Sequence, residues 1–432
     1  MKTITVNEIK DNVGKEIKLQ GWVRNYRTAS KKLYFIVFRD GTGETQGVAY
    51  KPDLGEEIFK KVESLTIETS LELMGIPKQH PKKKDVFELQ VTDLNIIDIA
   101  PEYPISKKSH GTDFLLSNRH LWVRSRKQHA LLKIRHNVYF AITEYLNNNG
   151  FYKYDSPILT PNACEGTTTL FEVPYFDLGN AYLSQSGQLY QETGIMSFGK
   201  VYDFGPVFRA EKSKTRKHLT EFWMMDAEAA FVKHDENIQI QEELIRFVIN
   251  KIIEKNSQEL KNLDRDIDKL KLADAPFKKM THREAIDFLK EKGIKIGYHD
   301  DFGAEEEDIL SRAFDVPVFI EKWPKEIKAF YMKRDQENPD LVLGADLIAP
   351  EGFGEIIGGS EREDDYDILK ARMEAENLPL EDYQWYLDLR KYGSVPHSGF
   401  GIGFERFVSW ISGVRHIRET IPFPRMIHRI YP

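Results

Sequence analysis

The sequence is poor in cysteine and in long apolar runs. Cys164 is the only cysteine among the 432 residues, which excludes an intramolecular disulfide and a thiolate metal cage. No stretch reaches the roughly 18 apolar residues that a bilayer-spanning helix needs. The N-terminal MKTITVNEIK lacks the apolar region of a signal peptide. We therefore expect a cytoplasmic protein that does not bind membranes.

A net positive charge is also missing. The chain has 61 Lys and Arg residues against 68 Asp and Glu, a net charge of −7. This balance argues against a general nucleic-acid coat protein, although a local basic face could still bind RNA. The hydrophobic content of 41% allows sizeable cores, and the length suggests two or three domains.

The first hundred residues have the pattern of short strands. The segment EIKLQGWVR largely alternates polar with apolar residues, and KLYFIVF is an aromatic and β-branched run. The strand-like segments TQGVAY, SLELMGI and FELQVTDLNII follow. Five short strands with turns predict a small β-barrel of the OB-fold type over residues 1–99, with a generic small β-domain as the alternative. Two prolines and few apolar residues predict a hinge over 100–113.

The pattern then becomes mixed. A helix that ends near Asn149 and Gly150 is predicted by apolar residues on one face, namely Leu131, Ile134, Val138, Ile142 and Tyr145. Strands and helices follow without regular βαβ alternation. This predicts an α+β domain over 114–432, with a mainly antiparallel sheet flanked by helices. The charged range of about 256–337 is predicted to be a helical elaboration of that domain.

Three segments contain residue types suited to phosphate chemistry. In the first, an apolar strand leads to Arg209 and Glu211, a basic loop follows, and a second apolar strand begins. An arginine can bind a phosphate or carboxylate through two parallel hydrogen bonds. The loop residues that could reach further phosphates are Lys212, Lys214, Arg216, Lys217 and His218. Taken alone, such a loop could equally be a solvated turn.

The second segment is GFGEIIGGSER, in which Glu355 stands among glycines and apolar residues, with Asp346 upstream. Two carboxylates here could hold Mg²⁺, which completes its shell with phosphates and water. The third is GFGIGFERFVSW, a glycine-rich strand leading into an amphipathic helix that carries Arg406. Together the segments supply two arginines and two acids, the set required to bind Mg-ATP.

These residues resemble the class II aminoacyl-tRNA synthetases over essentially the whole chain. GFYKYDSPILTP, with Pro157, is similar to motif 1, which builds the dimer interface in that class. FRAE with its loop and HLTEF resembles motif 2, and GFGIGFERF resembles motif 3. An N-terminal OB-like barrel is typical of the subgroup that charges aspartate, asparagine or lysine. The resemblance implies a homodimer through motif 1 that uses ATP and Mg²⁺ and charges a tRNA.

The resemblance also implies roles in the ATP site. Those roles fall to Arg209 for the α-phosphate and the substrate carboxylate, Glu211 for positioning ATP, Phe222 for adenine stacking, His218 and Arg406 for the distal phosphates, and Asp346 and Glu355 for Mg²⁺. Arg209, Arg406 and Glu355 are therefore the expected catalytic residues.

One difference within the resemblance concerns the amino acid. SQSGQLYQE resembles the substrate strand of the aspartate enzymes, QSPQLYK, whose lysine pairs with the aspartate side chain; this sequence has Gln191 instead. Without that cation a neutral carboxamide is the better ligand, so we expect L-asparagine and tRNA-Asn as substrates. The other expected contacts are Ser186, Gln188, Arg209, Glu165 in a mobile loop, Arg362 for the carboxamide oxygen, and Asp226 or Glu228 for the amide NH₂.

The barrel resembles an anticodon-binding domain. Phe35 and Gln46 match residues that in the subgroup stack on and read the central uridine of the anticodon, a mode of RNA binding common to such barrels. Arg24 and Arg27 lie near them in the sequence and could bind phosphates. The alternative for Phe35 is a core aromatic residue.

Three other functions remain open at this point. An aspartyl-tRNA synthetase, including one that also charges tRNA-Asn, is disfavoured by Gln191. An ammonia-dependent asparagine synthetase on the same catalytic domain would have no use for the barrel. A catalytically inactive RNA-binding relative is disfavoured because Arg209, Glu355 and Arg406 are all present.

Overall fold

The computed structural model describes residues 1–84, 86–106, 108–161, 163–164, 169–213 and 215–432. The chain divides into two compact units, Met1–Thr112 and Asp113–Pro432. No helix in these described ranges is both long enough and apolar enough to cross a membrane.

The first unit is a β-barrel. Its elements are β1 (Lys2–Thr3), a 3₁₀ helix (Val6–Asn12), β2 (Ile17–Ser30), β3 (Leu33–Arg39), β4 (Glu44–Tyr50), α1 (Lys51–Glu63), β5 (Ser70–Gln79) and β6 (Phe87–Asp98). The strand order is β1-β2-β3-β4-β6-β5, and pairing of β2 with β5 closes the barrel. Alternate residues of β2, such as Ile17 and Leu19, are buried inside it. The predicted five-stranded barrel is confirmed.

The second unit begins with α2 (Thr112–Ser117, which starts at the end of the first unit), α3 (Arg119–Trp122) and α4 (Arg126–Asn148). Next come β7 (Tyr152–Lys153), β8 (Leu159–Thr160), β9 (Glu172–Pro174), a 3₁₀ helix (Phe176–Leu178), β10 (Asn180–Leu183), α5 (Gln188–Phe198), β11 (Lys200–Phe208), β12 (Glu221–Ala230) and α6 (His234–Lys255).

The chain continues with α7 (Ser257–Asn262), α8 (Ile267–Lys271), a 3₁₀ helix (Leu272–Asp274), β13 (Lys278–Thr281), α9 (His282–Glu291), α10 (Ala304–Ala313), β14 (Val318–Pro324) and a 3₁₀ helix (Lys325–Ile327). It ends with β15 (Leu341–Ala349), β16 (Gly354–Glu361), α11 (Tyr366–Ala375), a 3₁₀ helix (Leu380–Tyr383), α12 (Gln384–Lys391), β17 (His397–Gly403), α13 (Phe404–Ser412) and a 3₁₀ helix (Ile417–Glu419).

An eight-stranded sheet organises the second unit, in the order β13-β14-β15-β16-β17-β12-β11-β7. All neighbours are antiparallel except the edge pairs β13/β14 and β11/β7. The predicted α+β architecture with a mainly antiparallel sheet is therefore confirmed. A separate three-stranded sheet has the order β8-β10-β9.

The main core of the second unit lies between the sheet and helices α4, α6 and α13. The five apolar residues predicted to share a face of α4 are all buried there, and the helix ends at Asn149, before Gly150 at φ 80°. On β12 the side chains alternate, so Met225 and Ala227 enter this core. The intervening side chains Met224 and Asp226 line a cavity.

The range 256–337 differs from the helical elaboration that was predicted. It contains helices, but β13 and β14 within it also extend the main sheet. In β14, Val318, Phe319 and Ile320 are all buried, because the strand packs on both faces. A short, fully apolar strand of this kind has no period-2 pattern that distinguishes it from a buried helical turn.

Candidate functional site

A cavity of about 560 Å³ lies along the middle of the eight-stranded sheet. Strands β12, β14, β15, β16 and β17 and the start of α5 and α13 bring residues from distant parts of the sequence to its wall. The predicted site residues that line it are Ser186, Gln188, Arg209, Glu211, His218, Phe222, Asp226, Asp346, Glu355, Arg362 and Arg406. The three segments singled out in the sequence therefore meet at one place.

Two glycines of β17 accommodate side chains of the neighbouring strand β12. In the antiparallel register Asp226 faces Gly401, and Glu228 faces Gly399. A Cβ at Gly401 would lie 2.6 Å from Asp226 Oδ1, and one at Gly399 would overlap the Glu228 carboxylate. The glycines were predicted to let a ligand approach the backbone; these two make room for buried carboxylates on the neighbouring strand.

The loop between β11 and β12 supplies one end of the cavity. The backbone N–H of Arg209 donates to the carbonyl of Thr220 at 3.0 Å, which closes the base of the loop. His218 Nδ1 lies within hydrogen-bonding distance of the hydroxyls of Ser213 and Thr215. Burial and the nearby Arg406 lower the pKa of His218, so its imidazole is neutral at pH 7.

Phe222 follows this loop on β12 and is half-buried, beside the small apolar cluster of Leu219, Ile417 and Ile421. Its ring borders the cavity. This position offers an apolar flat surface to a ligand, as expected for a residue that stacks on a base.

An acidic group lies further along the wall. Asp346 Oδ2 accepts from Lys328 Nζ at 2.6 Å, and Glu355 Oε2 accepts from Arg406 at 3.2 Å. Burial raises the pKa of Asp346 despite Lys328. Burial, together with Asp346 and Glu307, raises the pKa of Glu355 to about 7 against the attraction of Arg406.

The Glu355 and Asp346 carboxylates face the same empty space beside Gly358. A Cβ at Gly358 would be 3.5 Å from Glu355 Oε1 and 3.6 Å from Asp346 Oδ1. The described part of the chain contains no group of three or more His, Cys, Asp or Glu side chains arranged to hold a metal ion. Any divalent cation here would have two protein carboxylates and would complete its shell from a ligand and water.

The opposite end of the cavity contains a buried ion pair. Arg362 donates from Nε and Nη2 to Glu228, with Nη2–Oε1 at 2.5 Å, and from Nη1 to Ser360 Oγ at 2.7 Å. Arg362 lines the cavity, whereas Glu228 lies one layer behind it and is 1% exposed. Burial and the negative charge of Glu192 raise the pKa of Glu228 to about 7, against the opposing attraction of Arg362.

Asp226 fixes the chain before α5. It accepts from Ser186 Oγ at 3.0 Å and from the Gly187 N–H at 2.8 Å. The segment that resembles a substrate strand is in fact a loop followed by helix α5, which begins at Gln188 and ends at Gly199, with φ 78°. Gln188, in the first turn of the helix, lines the cavity.

The structure does not place Gln191 on the wall of the cavity. Its Nε2 donates to the Tyr154 carbonyl at 2.6 Å and to Ser156 Oγ at 2.8 Å, and the side chain does not line the cavity. These two hydrogen bonds hold the Gln191 amide against the segment that contains Tyr154 and Ser156. The residue four positions after Gln188 is Glu192, which shares its face and accepts from Gln188 Nε2 at 3.2 Å.

The sequence analysis missed Glu192, Lys328 and Glu307. Glu307, on α10, lines the cavity and accepts from Lys217 Nζ at 3.1 Å, and Lys328 lies 3.7 Å above the Trp323 ring. Both residues lie in the range 256–337, to which the sequence analysis assigned no functional residue. The i,i+4 spacing from Gln188 could have identified Glu192 had the helix been recognised.

Glu165 lies outside the described residues. The remaining predicted residues belong to the barrel, where the register places Arg27, Phe35 and Gln46 on one face. Phe35 is half-buried and is not part of the barrel core, to which Ile36 belongs. This excludes the alternative of a core aromatic.

The exposed side of Phe35 is bordered by polar groups. The Arg27 guanidinium lies 4.4 Å from the Phe35 ring centroid, Gln46 donates to Glu88 at 3.3 Å, and Arg24 pairs with Glu44 at 2.7 Å. An aromatic ring among cations and amides is the arrangement that single-stranded RNA-binding barrels present to an unstacked base.

Comparisons with known proteins agree with this geometry. A family model described as class II tRNA synthetases (D, K and N) matches residues 111–427, and one described as an OB-fold nucleic acid binding domain matches residues 17–97. An asparagine–tRNA ligase of Desulforamulus reducens is 51% identical over 432 residues and is covered in full by this chain.

Two solved structures extend the comparison. The asparaginyl-tRNA synthetase of Pyrococcus horikoshii, complexed with asparaginyl-adenylate, has a TM-score of 0.95 and 42% identity, with 99% of each chain covered. An aspartyl-tRNA synthetase from Entamoeba histolytica has a TM-score of 0.84 at 26% identity, covering 100% of this chain and 93% of its own. The sequence resemblance is confirmed over both units: the chain belongs to the class II tRNA synthetases of the aspartate, lysine and asparagine group.

Proposed function

We propose that the chain activates L-asparagine with ATP in the cavity and transfers it to the 3′-terminal adenosine of tRNA-Asn. It is an aminoacyl-tRNA ligase, and the names of its full-length relatives and the adenylate bound in the Pyrococcus horikoshii structure support asparagine over aspartate. The observation that carries the proposal is the Arg362–Glu228 pair beside the cluster of phosphate-binding residue types.

The ion pair suits a carboxamide. Arg362 donates to the amide oxygen, and the amide NH₂ donates to an acid of β12, either Glu228 or Asp226. An aspartate side chain would bring a third carboxylate close to Glu228 and Asp226, although Arg362 is already paired with Glu228. Aspartate should therefore bind more weakly than asparagine. Gln188 and Ser186 border the same end and bind the amino and carboxyl groups.

The first step is an in-line displacement at the α-phosphorus of ATP. One oxygen of the asparagine carboxylate forms the new P–O bond while the bond to the bridging oxygen breaks and pyrophosphate leaves. Arg209 neutralises the α-phosphate and orients the carboxylate, and Glu211 positions ATP. Phe222 holds the adenine, and Arg406 and neutral His218 donate to the distal phosphates. Their contribution is positioning and charge neutralisation, which dominate in phosphoryl chemistry.

Magnesium belongs to the same proposal. Asp346 and Glu355 fit a hard divalent cation, because both are carboxylates and both face the space beside Gly358. Burial raises the pKa of each carboxyl, and a bound cation would favour the ionised form of both. When bound, the ion supplies charge neutralisation of the polyphosphate. Lys328 and Arg406 keep the two carboxylates oriented through their hydrogen bonds.

The second step is acyl transfer. The 3′-OH of the terminal tRNA adenosine attacks the carbonyl carbon of the adenylate, the C–O bond to the phosphate breaks, and AMP leaves. A phosphate oxygen of the adenylate takes the hydroxyl proton, so the step requires no protein base.

The barrel binds the anticodon through Phe35 and Gln46, with Arg24 and Arg27 at the phosphates. We further propose a homodimer through the motif 1 region, supported by exposed apolar side chains there: Tyr152 on β7 is 59% exposed and Ile158 is 43% exposed. Burying such residues against a second copy removes apolar surface from water. A cytoplasmic location completes the proposal.

The test is ATP–pyrophosphate exchange with the purified full chain, with asparagine or aspartate as the only amino acid. Exchange with asparagine alone is expected. Exchange with aspartate would contradict asparagine as the substrate. No exchange with either amino acid would favour an inactive relative. Aminoacylation of tRNA-Asn and tRNA-Asp transcripts then tests the acceptor, and sedimentation of the same preparation tests the dimer.

A further inference from the structure

Behind the amino-acid end of the cavity lies a cluster of charged side chains with no exposed surface. Glu192 accepts from Arg390 Nη2 at 2.6 Å, from the Tyr386 hydroxyl at 2.7 Å and from His397 Nε2 at 2.9 Å. Glu192, Arg390 and His397 all have 0% side-chain exposure. A buried carboxylate with three donors is held in one position and is ionised.

Apart from Glu192, the cluster contains two basic side chains, Arg390 and His397. His397 Nδ1 lies 2.7 Å from the Val395 carbonyl, and Nε2 faces the Glu192 carboxylate. The His397 ring therefore lies between two hydrogen-bond acceptors, both of them inside the fold. Burial alone would raise the pKa of Glu192, but Arg390 and His397 together hold it below its usual range. Glu192 is therefore the counter-ion of the buried Arg390 guanidinium and a hydrogen-bond partner of His397.

One contact connects this cluster to the cavity. Gln188 Nε2 donates to Glu192 Oε1 at 3.2 Å, which fixes the orientation of the Gln188 amide. Gln188 lines the cavity, and its Oε1 is thereby left as the acceptor for a ligand. The charge of Glu192 also acts on the Arg362–Glu228 pair, since it contributes to the pKa of both partners. Glu192 thus influences two groups placed around the substrate without being part of the cavity wall.

We infer that Glu192 determines specificity: its buried negative charge orients Gln188 and balances the Arg390 guanidinium, so that the pocket prefers a neutral carboxamide to a carboxylate. The reasoning rests on the proposed function. If Glu192 were neutral, the Arg390 cation would lie uncompensated one layer behind the side-chain pocket, in a medium where charges interact more strongly than in water. Such a field favours the aspartate side chain over that of asparagine.

The test is Glu192→Gln, which removes the charge and preserves the shape. The expected result in ATP–pyrophosphate exchange is that the ratio of kcat/KM for asparagine to that for aspartate falls at least tenfold, about 1.4 kcal/mol of discrimination. Glu192→Asp keeps the charge and should restore most of the ratio. Tyr386→Phe is the matched control, because it removes one hydrogen bond to the same carboxylate without changing any charge. Its ratio should stay within about threefold of wild type.

The outcomes separate this inference from the proposed function. A wild type that activates aspartate in place of asparagine contradicts the proposed function. A wild type specific for asparagine, with a folded Glu192→Gln variant that is equally specific, contradicts the inference alone. If Glu192→Gln does not fold, the double variant Glu192→Gln/Arg390→Gln removes one charge of each sign. That variant should retain the wild-type ratio, and loss of discrimination in it would overturn the charge argument.

Discussion

Replacing Gly401 by alanine tests whether the carboxylates of β12 hold the site together. The added Cβ would lie 2.6 Å from Asp226 Oδ1 and 3.3 Å from the Met224 sulfur. The first distance is too short for any real contact, so Asp226 has to turn away. Asp226 is 5% exposed and accepts from Ser186 and from the Gly187 N–H. Turning it breaks both hydrogen bonds.

The expected loss follows from those two bonds. A hydrogen bond to a charged group contributes about 1.5–3 kcal/mol, so Gly401→Ala should destabilise the second unit by roughly 3–6 kcal/mol. For a domain of this size each kcal/mol lowers Tm by about 2 °C, which gives a decrease of roughly 6–12 °C. The loop before α5 also loses its anchor, so Gln188 shifts and KM for asparagine should rise at least about tenfold.

Thermal unfolding of the full chain and exchange kinetics measure the two effects. Gly205→Ala is the matched control. Gly205 lies on β11, the strand on the other side of β12, and a Cβ there would meet only Asp203, at an ordinary 3.8 Å. Its Tm and KM should match wild type. If Gly401→Ala melts within about 2 °C of Gly205→Ala, with an unchanged KM, then Asp226 does not anchor the site and the reasoning fails.

Three further predictions concern single groups. Arg209→Ala should lower kcat/KM in ATP–pyrophosphate exchange by roughly a hundredfold to a thousandfold, because it removes the cation at the α-phosphate; near-normal exchange would remove Arg209 from the site. Phe35→Ala should leave exchange unchanged and raise KM for tRNA roughly fivefold to a hundredfold through lost base stacking; an unchanged KM would show that Phe35 does not bind RNA. Because the pKa of Glu228 is raised to about 7, its carboxylate forms only above that pH. KM for asparagine should therefore rise as pH falls from 8 to 6, and Glu228→Gln should abolish this dependence; a wild-type KM that is flat over the same range would exclude Glu228 as the amide acceptor.

Local patterns in the sequence were sufficient for most of the architecture. The single apolar face of α4 identified a long helix, and alternation identified the strands of the barrel, because a helix or strand that is buried on one face must repeat its apolar residues with its own period. The residues suited to Mg-ATP, Arg209, Glu355 and Arg406, could be found because each stands in a distinctive local context of glycines or apolar strand residues.

The details of the amino-acid site required the tertiary structure. A few residues after a glycine can begin either a strand or a helix, so the sequence did not decide that Gln191 bonds to Tyr154 and Ser156 or that Glu192 lies behind Gln188. The partners of Glu192 are separated from it by 194 to 205 residues, and Lys328 reaches Asp346 from a segment without any motif. Local propensity carries no information about contacts at such separations. By itself, the sequence determined the two folded units and the chemistry of ATP binding. Only the folding of distant segments onto one sheet decided which buried charges lie around the cavity.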